Sequence, residues 1–312
     1  MTQMGEGIMR LDIAAASDIG RRKKENEDSF GIFLKDSPEN QLFDDGALLV
    51  VADGLGGHMG GEIASKLAVS IVKDVTKETV PQPDAEGDSD GSLLELLERY
   101  VKMANASVFQ TNKDMNTGGK PMGTTLVTAL VSPRKIHISN VGDSRVYHIR
   151  DSDILTRTED HSWVDEQVKM GLMSKSEAEV DARRNVVTRS VGTCEDVEVD
   201  GYVWHVVPGD WILVCSDGLI NMVKDDDIVT EFARGGTAAS IVHHLIEMAN
   251  ENGGKDNITA IAANISPSPV TLVLQRWRVF RRKQGLKLLW LLVTFAVAVL
   301  GFAGGYFFRD MQ

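Results

Sequence analysis

Short apolar runs alternate along the chain with longer stretches in which apolar and polar residues recur at helical spacing. The run at 48–52 is apolar at every position, which predicts a strand buried on both faces. Other runs predict further strands at 7–16, 30–34, 124–131, 135–141, 146–150, 154–158, 185–192, 211–218 and 258–265. Apolar residues spaced as on one helix face predict helices at about 61–79, 92–112 and 238–250, and residues 163–184 are polar and helix-prone. Ser92 is the expected N-cap of the second helix.

The order of these elements predicts the fold class. Strand-rich halves with helices between them indicate an α+β domain, in which two sheets pack together and are covered by helices. We expect this domain to extend over about residues 8–265. The chain shows no internal repeat of fixed period.

The last segment of the chain has a different pattern. Residues 288–308 are twenty-one residues without a charge, and a helix of that length spans about 32 Å, close to the ~30 Å core of a bilayer. Six cations lie between 276 and 287, and only Arg309 follows the apolar stretch. The positive-inside rule then places the preceding domain in the cytoplasm. We predict a basic juxtamembrane linker at 266–287 and a single-pass helix in the cell membrane at 288–308.

Charge and cysteine content restrict the class of protein. The chain of 312 residues has a net charge of −12, and residues 1–275 alone carry 26 basic and 44 acidic residues. So acidic a domain is a poor candidate for nucleic-acid binding. Its two cysteines, Cys194 and Cys215, lack CxxC spacing, which favours a reducing compartment and argues against a disulfide framework or a zinc site.

Four apolar strands each present one aspartate at or next to a glycine, namely Asp53, Asp143, Asp217 and Asp256. A single Asp-Gly pair is most simply a turn. Four converging carboxylates, however, are costly unless cations neutralise them. An all-oxygen ligand set without a Cys/His cluster favours Mg²⁺ or Mn²⁺ over zinc. Two such ions would lower the pKa of a bound water and hold a phosphoryl oxygen, which is hydrolytic chemistry.

Residues 21–28 have an unusual density of charge. Four consecutive cations, from Arg21 to Lys24, are followed within four residues by three acids. A charged surface loop is the simpler interpretation. The functional interpretation is an anion-binding loop beside carboxylates that hold a metal ion.

Eight short motifs point to one family. The chain resembles the metal-dependent Ser/Thr protein phosphatases of the phosphatase 2C class, the PPM family, in their bacterial form. The motifs occur in family order and span nearly all of residues 17–262. They begin at Asn26 (NEDS), Ala52 (ADGLGGH), Gly123 (GTT), Val141 (VGDSR), Asp160 (DHS), Thr188 (TRSVG), Ser216 (SDGL) and Lys255 (KDNIT).

The resemblance implies a four-layer α-β-β-α sandwich with two to three Mn²⁺ or Mg²⁺ ions at one edge. Asp53, Asp217 and Asp256 would carry catalysis: Asp53 would bridge two ions, the Gly54 carbonyl would help to hold the first, and the other two aspartates would hold the second. Glu27 and Asp28 would act through metal-bound waters, and Asp143 with Asp217 would form a weaker site for a third ion.

Two departures from the family pattern affect the expected site. The family commonly has an arginine that grips substrate phosphate five residues before Asp28, where this chain has Lys23. Lysine keeps the charge but loses the planar bidentate fork, and Arg22 is the adjacent alternative. Asn221 replaces an acid that some members use for the third metal ion. Residues 163–187 fall where the family has a variable flap that is expected to influence substrate choice.

The implied activity is hydrolysis of phosphoserine and phosphothreonine on proteins by a water that two metal ions activate. Such an enzyme would oppose a Ser/Thr kinase in signalling at the membrane, and its partners would be phosphorylated proteins, the kinase among them. The alternative is a pseudophosphatase, a membrane-tethered module that binds phosphoproteins without cleaving them. A hydrolase for a nucleotide or another small phosphate is a third possibility, but no base-recognition motif supports it.

Overall fold

The computed structural model describes residues 9–34, 46–56, 59–77, 89–115 and 121–267. Its strands are β1 (Met9–Asp18), β2 (Ser29–Leu34), β3 (Ala47–Ala52), β4 (Gly54–Leu55), β5 (Gly123–Thr124), β6 (Leu126–Val131), β7 (Lys135–Val141), β8 (Arg145–Arg150), β9 (Asp153–Arg157), β10 (Asp200–His205), β11 (Trp211–Cys215) and β12 (Ile258–Pro267). Its helices are α1 (Met59–Lys73), α2 (Ser89–Met115), α3 (Trp163–Lys169), α4 (Lys175–Val180), α5 (Asp217–Ile220), α6 (Asp225–Arg234) and α7 (Ala238–Glu251), with a 3₁₀ turn at Asp74–Lys77 after α1.

The strands form two five-stranded sheets. The first has the order β1-β12-β11-β8-β9 and the second has the order β10-β7-β6-β3-β2, while β4 and β5 pair as a short ribbon. Neighbours along the chain pair antiparallel in β2/β3, β6/β7 and β8/β9. In the middle of the second sheet, Val51 of β3 lies opposite Val127 of β6.

Strand β3 shows how the sheets pack. All six of its residues are buried. Leu49 and Val51 point into the interior between the two sheets, where they pack with residues such as Val214 of β11. Leu48 and Val50 point to the opposite face and pack among the helices. The prediction of a strand buried on both faces is therefore confirmed.

Helices cover the outer face of each sheet. The apolar faces of α1 and α2 pack on the second sheet, in one cluster with Leu126 and Leu130. The first sheet is covered by α5, α6 and α7, whose side chains cluster with Tyr147 and Leu213. The layers are therefore helix, sheet, sheet and helix, and the α+β sandwich predicted from the sequence is confirmed.

Several local predictions were wrong. Helix α2 begins at Ser89, so Ser92 lies inside the helix rather than at its N-cap. The earlier start brings Asp90 of α2 into contact with Lys135 and His137 of β7. Residues 185–192 form no regular strand, although bridges join Val187 to Ser162 and Val191 to Thr124. The sequence reading also missed β10, α5 and α6.

Residues 9–266 form one compact unit. Of the second unit, residues 1–8 and 267–312, the structure describes only Pro267. Within the described part of the chain, no helix has the length and apolar character needed to cross a bilayer. The predicted membrane helix at 288–308 and nearly all of the predicted linker lie outside the described residues.

Candidate active site

The four aspartates predicted from the strand pattern come from both sheets. Asp53 directly follows β3, and Asp143 lies two residues after β7, both in the second sheet. In the first sheet, Asp217 lies two residues after β11 and Asp256 lies two residues before β12. The ends of β11 and β12 are neighbours, since Cys215 pairs with Ala260. The two sheets therefore both deliver carboxylates to one edge of the sandwich.

These carboxylates influence one another strongly. Burial raises the pKa of Asp53 well above its usual value, and the charges of Asp28, Asp217, Asp143 and Asp256 raise it further. The pKa of Asp143 is likewise well above its usual value because of burial and the charge of Asp217. Burial and the charge of Asp256 raise the pKa of Asp217 to about 6. The aspartates therefore form one coupled acidic cluster.

Asp28 joins this cluster from the loop that precedes β2. Its Oδ2 accepts hydrogen bonds from Ser216 Oγ (2.8 Å) and Thr259 Oγ1 (2.6 Å). Its Oδ1 is buried and has no hydrogen-bond partner among the described residues. Burial raises the pKa of Asp28 to about 7, although the two hydroxyl donors act in the opposite direction. A buried carboxylate oxygen without a donor is costly, and a cation or a cation-bound water would satisfy it.

The cluster fits hard divalent cations in donor type and in charge. Asp217 lies close enough to Asp53 for its charge to raise the pKa of Asp53, and Lys23 Nζ lies 2.5 Å from Asp256 Oδ1. The carboxylates thus interact with each other and with Lys23, and no three metal-ligating side chains of the described segments already surround one point. An all-oxygen set with this excess of negative charge suits Mn²⁺ or Mg²⁺.

Gly54 and Glu27 lie close together beside this cluster. Two glycines, Gly54 and Gly61, allow the backbone segments to approach each other here. A Cβ at Gly54 would lie 2.4 Å from the Gly61 carbonyl oxygen and 2.6 Å from that of Glu27. A Cβ at Gly61 would lie 2.9 Å from Glu27 Oε1 and from the Gly54 oxygen. Only glycine allows the start of α1 to approach both segments so closely. The Gly54 carbonyl and the Glu27 carboxylate are therefore neighbours.

Of the two candidate phosphate-binding cations, Lys23 faces the acidic cluster. Burial alone lowers the pKa of Lys23, but the hydrogen bond and charge of Asp256, with the charges of Glu27 and Asp53, raise it above its usual value. Arg22 is exposed, and within the described residues no hydrogen bond or ion pair joins it to the cluster. Lys23 is therefore the better placed of the two.

Asn257 holds the cationic loop, a role that the sequence reading missed. Its Nδ2 donates to the carbonyl oxygens of Ile19 (3.0 Å) and Glu25 (2.9 Å), and its Oδ1 accepts from the Glu27 amide (2.9 Å). The side chain is almost fully buried. Asn257 follows Asp256 directly, so one turn supplies both a carboxylate of the cluster and the support of the loop that carries Lys23. The motif at 255–259 contains Asn257, but only the fold shows its partners.

The residue that departs from the family pattern at 221 contacts the cluster directly. Asn221 Nδ2 donates to Asp217 Oδ2 at 2.9 Å. The amide therefore orients the Asp217 carboxylate without adding a further negative charge.

A cavity of about 590 Å³ adjoins the cluster. Asp143 and Asp217 line one side of it. Its other side includes residues of the predicted flap, namely Val164, Val168, Lys175 and Arg184. The flap region at 163–187 contains the short helices α3 and α4.

Comparison with known proteins identifies the family. Residues 22–261 match the family described as protein phosphatase 2C. The chain is 36% identical over 246 residues to the serine/threonine phosphatase stp of Listeria monocytogenes serotype 4b (strain F2365). The aligned region covers 78% of this chain and 92% of that relative.

Solved structures show the same relationship. The serine/threonine phosphatase of S. agalactiae superposes with a TM-score of 0.72 at 31% identity, over 82% of this chain and 99% of that one. The catalytic domain of the phosphatase PstP, solved in complex with two manganese ions, gives a TM-score of 0.68 at 30% identity, over 83% and 99% of the two chains. The chain therefore belongs to the protein phosphatase 2C family, in its bacterial form.

Proposed function

We propose that this chain, a serine/threonine protein phosphatase by its family, hydrolyses phosphoserine and phosphothreonine with two to three Mn²⁺ or Mg²⁺ ions held by the acidic cluster. The observation that carries the proposal is the convergence of five aspartates, four from strand ends of the two sheets and Asp28 from the loop before β2, with one lysine beside them. So concentrated a negative charge disfavours an anionic substrate unless cations are bound.

Each residue has a distinct part in this proposal. Asp53, Asp217 and Asp256 would hold two ions together with the Gly54 carbonyl, and Asp143 with Asp217 would hold the third. When bound, the ions lower the pKa of a water and neutralise charge on the phosphoryl group.

The remaining groups orient the reactants. Ser216 and Thr259 fix the Asp28 carboxylate through Oδ2, which leaves Oδ1 to accept a proton from a water. Lys23 donates to a phosphate oxygen of the substrate through Nζ. The loop that carries Lys23 is kept in place by Asn257.

The proposal extends to the place of action. A helix at 288–308, preceded by the basic linker at 266–287, would anchor the catalytic domain at the cytoplasmic face of the cell membrane. The uncharged stretch and the cations before it support this assignment. There the enzyme would oppose a Ser/Thr kinase by acting on that kinase and its substrates.

Hydrolysis of p-nitrophenyl phosphate and of a phosphothreonine peptide by the full chain in detergent tests the activity. Turnover with Mn²⁺ or Mg²⁺ should disappear in EDTA and in Asp217→Asn, while Asp196→Asn, at an exposed position, should behave as the wild type. Near-normal turnover of Asp217→Asn would overturn the assignment. Bound Mn²⁺ without turnover would favour the pseudophosphatase, which the relatives named as phosphatases do not favour.

Fractionation of cells that express the full chain or residues 1–268 tests the anchor. The full chain should remain in the membrane fraction after a high-salt wash, and the shorter chain should be released. Recovery of both chains in the same fraction would contradict the anchor and leave the catalytic assignment unaffected.

A further inference from the structure

His161 holds the turn that carries Asp143. The Gly142 amide donates to His161 Nδ1 at 3.0 Å, and the His161 amide donates to the Gly142 carbonyl at 3.0 Å. The imidazole is only 4% exposed. Gly142 has a φ of 110°, and a Cβ there would lie 2.6 Å from Thr125. The backbone one residue before Asp143 is therefore held from two sides, by His161 and by the packing of Thr125, which lies between β5 and β6.

The hydrogen bonds determine which ring nitrogen of His161 carries the proton. Because Nδ1 accepts from an amide, the proton must be on Nε2. Nε2 lies 3.3 Å from Asp200 Oδ2, which can accept a hydrogen bond from the Nε2 proton. Arg189 Nη1 lies 3.1 Å from Nε2, but an arginine N–H cannot donate to a nitrogen that already carries a proton, and Nη1 donates instead to Asp200 Oδ1 at 2.6 Å. The Asp200 carboxylate thus keeps the ring in the tautomer that binds the turn.

Residues 159–161, the segment that contains His161, form two further contacts with the chain around Asp143. Arg145 forms a bidentate pair with Asp160, with two N–O distances of 2.7 Å. The pair is largely buried, since the side chains are 15% and 8% exposed. Asn140 Nδ2 donates to the Glu159 carbonyl at 3.1 Å. Residues 159–161 therefore contact the chain on both sides of Asp143, and His161 is the contact closest to it in sequence.

We propose that His161 is a positioning residue that sets the affinity of the ion site at Asp143, through its hydrogen bond to the Gly142 amide. The inference rests on the proposed function, which places a third ion there. A ligand carboxylate binds an ion tightly only when its orientation is fixed before binding. Asp143 takes its orientation from a turn whose amide is held by the imidazole.

Two substitutions separate the roles of the two ring nitrogens. The Oδ1 of His161→Asn can occupy the position of Nδ1 and accept from Gly142. The amide of His161→Gln instead reaches the position of Nε2 and leaves the Gly142 amide without its acceptor. Titration of the full-length variants with Mn²⁺, with free Mn²⁺ measured by electron paramagnetic resonance, gives the affinity of each ion. Asp143→Asn identifies which ion depends on Asp143.

We expect His161→Gln to weaken the Asp143-dependent ion by about tenfold or more and to leave the tighter ions unchanged. His161→Asn should retain most of that affinity. Equal weakening by Asn and Gln, or unchanged binding in His161→Gln, would overturn the inference. If His161→Gln does not fold, Asp200→Ala is used in its place. Without the Asp200 carboxylate the imidazole proton can move to Nδ1, which then cannot accept from the Gly142 amide. An unchanged affinity of Asp200→Ala for the Asp143-dependent ion would also overturn the inference. The absence of a third ion site would give a different result from failure of the His161 inference. In that case the wild type and Asp143→Asn would bind the same number of ions.

Discussion

Lys23 Nζ lies 2.5 Å from Asp256 Oδ1, so the cation proposed to bind substrate phosphate pairs with a carboxylate proposed to bind a metal ion. The two residues are far apart in sequence, and the loop and the turn that carry them are joined by Asn257. An ion at Asp256 would compete with Lys23 for the same oxygen. The ammonium group would then be free to turn toward a phosphate oxygen.

Lys23→Ala should weaken phosphate binding. A hydrogen bond to a charged group contributes about 1.5–3 kcal/mol, so we expect KM for a phosphopeptide and the inhibition constant of inorganic phosphate to rise about tenfold or more. Lys24→Ala removes an exposed cation at the next position and is the matched control. Steady-state kinetics with phosphate as inhibitor measures both constants. Equal effects of the two variants would show that only the general charge of the loop matters.

Asn257→Ala should lower kcat/KM although the Asn257 side chain contacts neither a metal ligand oxygen nor phosphate in the proposed mechanism. The backbone amide of Asn257 donates to Asp256 Oδ1 at 2.8 Å, and that hydrogen bond remains in the variant. The three side-chain hydrogen bonds of Asn257 hold the loop that carries Lys23 and Glu27, and loss of such support costs about ten- to a hundredfold in activity. Asn252→Ala, which loses one exposed hydrogen bond to Met222, should have little effect. An unchanged kcat/KM in Asn257→Ala would mean that the loop keeps its position without this side chain.

The metal-free protein should lose stability as the pH rises from about 4 to about 7. The folded-state pKa of Asp28 is raised to about 7, so in this interval the folded chain binds more protons than the unfolded chain. Its contribution is fully present below the unfolded pKa and is lost as the pH rises through the folded pKa. Urea unfolding in EDTA at several pH values measures the slope.

Asp28→Asn should flatten that slope, and Asp196→Asn should not change it. Saturating Mn²⁺ should remove the loss of stability at pH 7, because bound cations stabilise the ionised carboxylates. A metal-free stability that increases between pH 4 and pH 7 would contradict the raised pKa values of the cluster.

Asp210→Ala should destabilise the fold without a direct effect on the site. Asp210 is fully buried and accepts hydrogen bonds from His148 (2.8 Å), Arg150 (2.6 and 2.8 Å) and the Val207 amide (2.8 Å). Removing one partner of a buried ion pair costs about 3–5 kcal/mol, and we expect about 3 kcal/mol because Arg150 is partly exposed. Urea unfolding measures the loss. Glu247→Ala breaks an exposed pair with His243 and should change stability by at most about 0.5 kcal/mol.

Continuous apolar runs predicted the central strands well, because burial on both faces leaves a pattern that needs no tertiary information. Strand β10 gave no such signal, since its residues are mostly half-buried at a sheet edge. Helix α6 did leave a signal that was not used: Ile228 and Phe232 are four residues apart and both buried. The early start of α2 depends on contacts of Asp90 with β7, which lies about 45 residues away.

The candidate site also has features that the sequence predicts and features that only the fold shows. The aspartates could be predicted because each follows or precedes an apolar strand beside a glycine. Three sets of contacts could not be predicted, because each joins segments that only the fold brings together. They are the pairing of Lys23 with Asp256, the hydrogen bonds of Asn257, and the hydrogen bond between His161 and Gly142. Long-range partners of polar side chains leave no periodic pattern in a sequence.

Four aspartates of the cluster lie at strand ends, two in each sheet. An ion held by aspartates of both sheets would act as a cross-link between the two halves of the sandwich. Ligands that bind only the folded chain stabilise it by about 2.7 kcal/mol at a concentration one hundred times Kd. Metal supply in the cell would therefore control the lifetime of this enzyme as well as its rate, since proteases degrade the unfolded chain.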